Sequence, residues 1–189
     1  NVLPILYAEE EAGFMAGYAA VKDGFTKLGF QGDMAVPSAI RYGHGFAQGA
    51  EVAAKELELA EGSVSLIYNY SGDFSPSPES KARAVQWYKD GTEIILACTD
   101  AASNSVIAAA DEVGGKFVIG VNVDQNYKSE SVISSAIKML GNSVYEALEK
   151  YYNGNWEGGE TRVLNAASGG VGLAMDNAKW RKFSVNDYN

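Results

Sequence analysis

Side chains that commonly serve catalysis or metal binding are scarce in this sequence, which has one histidine and one cysteine among 189 residues. A hydrolytic triad or an acid/base pair needs a nucleophile, a proton acceptor and an orienting group. His44 lies in RYGHGF within a predicted helix, and because no recognisable motif pairs with it we predict a surface or packed histidine. Cys98 ends an apolar segment without a neighbouring His or Lys and is predicted to be a packed thiol. The sequence therefore predicts no catalytic residue, no metal site and no enzyme, and its single cysteine excludes an internal disulfide.

Clusters of basic residues and long apolar runs are absent as well. The chain has 24 acidic and 15 basic residues, a formal net charge of −9 and no local concentration of Lys and Arg. A nucleic acid or an anionic membrane surface is therefore not an expected partner. No segment approaches the roughly 18 consecutive apolar residues of a membrane-spanning helix. Neither a Gly-x-Gly-x-x-Gly turn nor a Gly-x-x-x-x-Gly-Lys-Ser/Thr loop follows a predicted strand, so we expect no dinucleotide or triphosphate cofactor.

The sequence does contain a regular alternation of strand-like and helical segments over its first 125 residues. The clearest strand lies in KFVIGVNVDQ, where an apolar block gives way to Asn122, Asp124 and Gln125. Such blocks are typical of parallel strands buried on both faces, so we place this strand at the sheet centre. The other predicted strands are 1–7, 27–35, 63–70 and 92–98, and the predicted helices are 9–24, 38–58, 77–91 and 103–113. The alternation predicts an α/β fold, a parallel open sheet with helices on both faces.

The pattern changes after residue 131. The segment VISSAIKML is strand-like and leads into a helix predicted from about 142 to 152, and a strand is predicted at 161–167. Residues 176–189 show no periodicity and are predicted to form a surface strap or a chain end. Small residues in the first helix, among them Gly13 and Gly17, predict close packing against a neighbouring element.

Polar and aromatic side chains follow several of the predicted strands. Phe74 follows the third strand, Asp100 the fourth, and Asn122 and Asp124 the fifth, while Lys138 lies in the strand-like segment after them. Ligands of open α/β sheets bind beyond the carboxyl ends of the strands. An aromatic ring stacks on a planar ligand, a carboxylate accepts hydrogen bonds from adjacent hydroxyls, and a lysine donates or neutralises. These residues suit a purine, a ribose or another small polar ligand.

Each candidate also has a structural interpretation. Phe74 could be a residue that packs its own loop. Asp100 could cap the helix that follows it. Lys138 could be a structural partner of Asp124.

Successive blocks of the chain resemble the basic membrane protein family, whose members are nucleoside-binding lipoprotein receptors of ABC transporters with a type I periplasmic-binding fold. The match runs in the correct order over nearly the whole chain. The blocks are EEEAGFMAGYAA, MAVPSAIRYGHGFAQGA, SGDFSPSPE, GVNVDQ, SAIKMLGNSVYEAL and GGETRVLNAASGGVGLAMD.

The resemblance implies two lobes that close over a small-molecule ligand, commonly a purine nucleoside, and present it to the permease subunits of the transporter. It implies a full-length monomer outside the cytoplasm, held to the cell membrane by an N-terminal lipid that this chain does not include. It further implies that the chain is a fragment, with one nearly complete lobe and part of the other. On this interpretation residues 27–137 form the second lobe, residues 1–26 belong to the first lobe, and residues 138–189 form the hinge crossover and the rest of the first lobe.

The resemblance also assigns roles to particular residues. Phe74 matches the base-stacking aromatic residue of the family, Asp124 the sugar-binding aspartate of its GVDxDQ motif, and Lys138 the lysine near the hinge. The first aspartate of that motif is Asn122 here, and Thr99-Asp100 replaces the usual Gly-Gly pair. The alternative function is a ligand-sensing effector domain of a signalling or regulatory protein with the same fold.

Overall fold

The computed structural model describes residues 2–98 and 103–189. Strands and helices alternate through most of this part of the chain. In order, the elements are β1 (Ile5–Tyr7), α1 (Glu9–Lys22), β2 (Lys27–Gly32), α2 (Pro37–Glu56), β3 (Ser65–Tyr70), α3 (Pro78–Lys89), β4 (Ile94–Cys98), α4 (Ser103–Val113), β5 (Phe117–Asn122), a 3-10 turn (Asn126–Lys128), β6 (Val132–Lys138), α5 (Leu140–Tyr152), β7 (Arg162–Leu164), β8 (Val171–Leu173) and α6 (Val185–Tyr188).

Six of these strands form one sheet in the order β3-β2-β4-β5-β6-β8. Its strands are parallel except for β8, which pairs antiparallel with β6. The predicted α/β fold is thus confirmed, and β5 lies inside the sheet between β4 and β6. A separate two-stranded parallel sheet joins β1 to β7.

Helices cover both faces of the large sheet. Because successive side chains of a strand point to opposite faces, one strand contributes to the core on each side. Ile94 and Leu96 of β4 belong to the core beneath α1 and α2. Ile95 and Ala97 of the same strand belong to a second core beneath α3 and α4. The carboxyl ends of the parallel strands consequently meet at one open edge between these two helical layers. Within the described residues, none of the helices combines the length and the apolar character needed to cross a membrane.

Several boundaries differ from the sequence prediction. The first strand is confined to Ile5–Tyr7, after Pro4, and α5 begins at Leu140 rather than near residue 142. Strand β8 and helix α6 were not predicted; each is too short to show a period of its own, and β8 is recognised only by its pairing with β6. Ser77 does cap α3, because its hydroxyl accepts a hydrogen bond from the backbone N–H of Ser80 at 3.0 Å.

Helices α1 and α2 lie unusually close together. A Cβ atom added at Gly17 would lie 2.0 Å from the carbonyl oxygen of Phe46, and one at Gly45 would lie 1.9 Å from that of Glu10. The predicted close packing of α1 therefore occurs, and its partner is α2. Since α2 covers the large sheet, α1 lies on the same side of that sheet. The division of the chain into two lobes stays a prediction.

The C-terminal tail is tied down although its sequence has no period. The side chain of Asp23 is fully buried at the end of α1. Its Oδ1 accepts hydrogen bonds from the backbone N–H groups of Lys182 at 2.6 Å and Phe183 at 3.0 Å. The guanidinium of Arg181 donates from Nε to Oδ2 at 2.9 Å. The predicted surface strap is thus anchored on a buried carboxylate.

Candidate ligand-binding site

A small cavity of about 170 Å³ opens at the carboxyl edge of the large sheet, where β2, β4, β5 and β6 end. Three of the predicted site residues, Phe74, Asn122 and Lys138, line it. The other residues that line it are Asp33, Val36, Ser38, Ala39, Tyr42, Cys98 and Val121. The fold thus brings an aromatic ring, an amide and an ammonium group to one concave surface.

Lys138 is the last residue of β6 and is mostly buried, with 15% of its side chain exposed. Its Nζ lies 5.5 Å from the ring centroid of Tyr7 and 5.7 Å from that of Tyr42. The same ammonium lies 2.9 Å from Oε1 of Glu9. The structural interpretation of Lys138 as a partner of Asp124 is therefore wrong, since its ion-pair partner is Glu9.

Glu9 is a residue of this region that the sequence did not single out. It is the first residue of α1, and 5% of its side chain is exposed. Its Oε2 accepts a hydrogen bond from Nε of Arg41, on α2, at 2.7 Å. The sequence shows three consecutive glutamates at this helix start, which is the usual pattern of acidic residues near the positive end of a helix dipole. Nothing in that pattern distinguishes Glu9 from Glu10, so its buried pairing was not predictable.

Asn122 ends β5 with a backbone φ of 66°, in the left-handed region. Asparagine tolerates this region better than most residues with a side chain. The turn in direction stops the strand and leaves Asn122 at the cavity wall. An amide at this position can both donate and accept hydrogen bonds.

Asp124 is not among the described residues that line the cavity. Its Oδ1 accepts a hydrogen bond from the backbone N–H of Asn126 at 3.1 Å and lies 3.5 Å from the hydroxyl of Ser135. Gln125, next to it, is buried, and its side-chain amide donates to the carbonyl oxygen of Val121 at 2.9 Å. Gln125 therefore fixes the loop after β5 instead of facing the cavity.

Three other residues considered from the sequence are Cys98, His44 and Asp100. Cys98 is buried at the end of β4, as predicted for a packed thiol, and contributes to the cavity wall. His44 is exposed on α2, as predicted for a surface histidine. Asp100 lies outside the described residues. Within the ranges that the structure describes, no group of three or more His, Cys, Asp or Glu side chains is arranged to hold a metal ion.

A family model and the curated relatives of this chain indicate the same protein family. A family model described as PnrA-like ABC transporter substrate-binding protein matches residues 1–187. Basic membrane protein B of Borreliella burgdorferi is 33% identical over 184 residues, which cover 94% of this chain and 51% of that protein. The ABC transporter nucleoside-binding protein BmpA of Lactococcus lactis is 29% identical over 196 residues, covering 94% of this chain and 54% of that protein.

The fold has a solved counterpart in an ABC transporter solute-binding protein of Aeropyrum pernix, with a TM-score of 0.79 and 23% identity over 92% of this chain and 50% of that one. The chain spans about half the length of the curated relatives it matches, 51% in the case of basic membrane protein B. The resemblance seen in the sequence blocks is thereby confirmed. The chain belongs to the family of PnrA-like ABC transporter substrate-binding proteins.

Proposed function

We propose that this chain is part of an extracytoplasmic substrate-binding protein that captures a purine nucleoside and delivers it to the permease of an ABC transporter. The observation that carries the proposal is the convergence of Phe74, Asn122 and Lys138 on one cavity at the carboxyl edge of the sheet, in a chain of this family. The relative from Lactococcus lactis is described as nucleoside-binding. The membrane anchor, an N-terminal lipid, and the monomeric state of the whole protein are part of the same proposal.

The cavity is one half of a binding site in this proposal. Its volume of about 170 Å³ is below the roughly 300–1,000 Å³ of pockets that enclose small molecules, so a second wall has to complete it. Exposed apolar side chains suggest where that wall attaches. Leu6 and Val163 are exposed on the β1–β7 sheet, and Tyr145 and Tyr152 are exposed on α5.

In this proposal the protein has two lobes, and residues 27–137 belong to the second lobe. The packing of α1 against α2 favours placing α1 with this second lobe as well, and leaves β1, α5 and β7 on the side of the first lobe. Ligand contacts from both lobes are satisfied only when the lobes close, so binding would shift the population to the closed state. No covalent chemistry is required.

Four of the five predicted site residues have a role in this proposal. The ring of Phe74, which is 52% exposed, stacks on the base. Lys138 and Asn122 donate hydrogen bonds to the polar edge of the ligand, and Asp124 accepts from the ribose hydroxyls. Asp124 would have to turn toward the cavity to do so, because its carboxylate faces Asn126 here. Asp100 stays a predicted site residue.

The proposal is tested by a thermal-shift screen of the full-length protein against nucleosides, free bases, sugars and amino acids. A ligand present at about 100 times its dissociation constant stabilises the folded state by about 2.7 kcal/mol. We expect a rise in Tm with purine nucleosides and none with amino acids. A rise with amino acids or sugars alone would contradict the nucleoside assignment, and no rise with any compound class would contradict the receptor function.

Phe74→Ala is expected to weaken nucleoside binding by about 1–3 kcal/mol, because base–aromatic stacking contributes about that much per base. Tyr127→Ala is the matched control, since Tyr127 is 77% exposed in the turn after β5 and does not line the cavity. Isothermal titration of both variants with the nucleoside from the screen measures the difference. Equal affinity of Phe74→Ala and wild type would show that Phe74 only packs its loop.

A further inference from the structure

The charges around Lys138 are arranged so that its ammonium group is already compensated. Glu9 places Oε1 2.9 Å from Nζ of Lys138 and Oε2 2.7 Å from Nε of Arg41. The side chains of Glu9 and Lys138 are both mostly buried, so water and salt screen this pair much less than an exposed one. The two cationic partners hold the Glu9 carboxylate in a fixed position between α2 and the end of β6.

A second carboxylate faces the same cavity. Asp33 follows β2, is buried, and lines the cavity together with Lys138. The cavity therefore offers an N–H donor without a net excess of positive charge. An anion entering it would lose its hydration shell without gaining an uncompensated cation in return. An uncharged ligand accepts the hydrogen bond from Lys138 without that loss.

We propose that Glu9 determines the charge class of the ligand: by neutralising and orienting Lys138, it makes the site accept an uncharged nucleoside and reject the phosphorylated form. This proposal rests on the proposed function, because it concerns the same cavity. Glu9 does not line the cavity among the described residues and acts through Lys138, so it is a positioning residue. Its placement depends on the fold, since α1 supplies Glu9, α2 supplies Arg41 and the end of β6 supplies Lys138.

Glu10 offers a matched control for this role. It is the neighbouring residue on α1, and its Oε2 lies 3.4 Å from Nε of Arg41. About half of its side chain is exposed, and no ion pair joins it to Lys138 in the described part of the chain. Glu9→Gln and Glu10→Gln change the net charge of the protein equally. Only the first removes the negative charge next to Lys138.

The experiment measures dissociation constants of the full-length wild type, Glu9→Gln and Glu10→Gln for a nucleoside and for its 5′- and 3′-monophosphates. We expect the wild type and Glu10→Gln to bind the nucleoside and to reject both monophosphates. In Glu9→Gln the ratio of nucleotide to nucleoside dissociation constants should fall by about tenfold or more, because Lys138 then presents an uncompensated charge that forms a charge-assisted hydrogen bond to phosphate. This fall in the ratio of dissociation constants should disappear in the double variant Glu9→Gln, Lys138→Gln.

A second readout does not depend on the nucleoside. Inorganic phosphate should raise the Tm of Glu9→Gln more than that of wild type or Glu10→Gln, because phosphate alone probes the freed cations. Equal phosphate responses of the two variants would overturn the proposal, as would an unchanged binding ratio in Glu9→Gln. Wild-type protein that binds a monophosphate as tightly as the nucleoside would overturn it without any variant. If the wild type binds no nucleoside, the proposed function fails, and the phosphate response still decides the role of Glu9.

Discussion

Asp23→Ala is expected to lower the free energy of unfolding by about 2–4 kcal/mol and to release the C-terminal tail. The Asp23 carboxylate has no solvent exposure and accepts hydrogen bonds from the backbone N–H groups of Lys182 and Phe183 and from the Arg181 guanidinium. Removing a partner from a buried, charged hydrogen-bond network costs about 3–5 kcal/mol. We expect somewhat less because Arg181 is 45% exposed and regains water when the pair is broken.

Urea unfolding measures the change, and hydrogen exchange of the backbone amides locates it. The N–H groups of Lys182 and Phe183 should lose their protection in Asp23→Ala, because these are the groups that the carboxylate accepts from. Asp187→Ala is the control: Asp187 is an exposed carboxylate of the same tail that closes the capping box of α6 with Ser184. Its replacement should leave the protection of Lys182 and Phe183 intact. If Asp23→Ala is as stable as Asp187→Ala, the tail is held by its other contacts, among them the packing of Phe183 and the hydrogen bond from the Leu173 N–H to the Tyr188 hydroxyl.

Local sequence patterns were sufficient to predict the elements that define the fold. β5 was recognisable because Phe117–Val121 is an unbroken apolar block of mostly β-forming residues, and the structure buries it between β4 and β6. α3 was recognisable because Ser77 and Pro78 supply a cap and a first helical residue. The end of α4 at Val113 was recognisable because the glycine pair Gly114-Gly115 follows it. Each of these signals lies within a few residues of the element that it specifies.

Local signals of this kind do not predict contacts between segments that are far apart in the sequence. Nothing near Lys138 indicates that its partner is Glu9, because the pair exists only once α1 is laid against β6 and α2. The buried role of Asp23 likewise depends on a tail that returns to the end of α1. Strand order puts Asn122 and Lys138 at one edge, and this much followed from the fold class. The orientation of Asp124 did not, since it depends on the turn of the loop after β5.

The close contact between α1 and α2 leads to the second large effect, which is expected for Gly17→Ala. An added Cβ would lie 2.0 Å from the carbonyl oxygen of Phe46 and 2.8 Å from its carbonyl carbon. Both are backbone atoms of α2, so no side-chain rotation relieves the overlap and the two helices have to separate. Overpacking a core costs about 1–3 kcal/mol and occasionally more. An overlap with backbone atoms belongs at the upper end of this range, about 3 kcal/mol. Alanine stabilises a helix interior by up to about 1 kcal/mol relative to glycine, so we expect a net loss of about 2 kcal/mol.

Gly141→Ala separates these two opposing effects. Gly141 lies in the first turn of α5, and no heavy atom comes within 4 Å of an added Cβ. This variant should therefore gain stability, or leave it unchanged, in the same urea titration that shows a loss for Gly17→Ala. Separation of α1 from α2 should also disturb the ion pairs of Glu9, which join α1 to Arg41 and Lys138, so Gly17→Ala should bind ligand more weakly than Gly141→Ala. A Gly17→Ala protein that is as stable as Gly141→Ala would mean that the helices can move apart freely, and the position of Glu9 would then not depend on their contact.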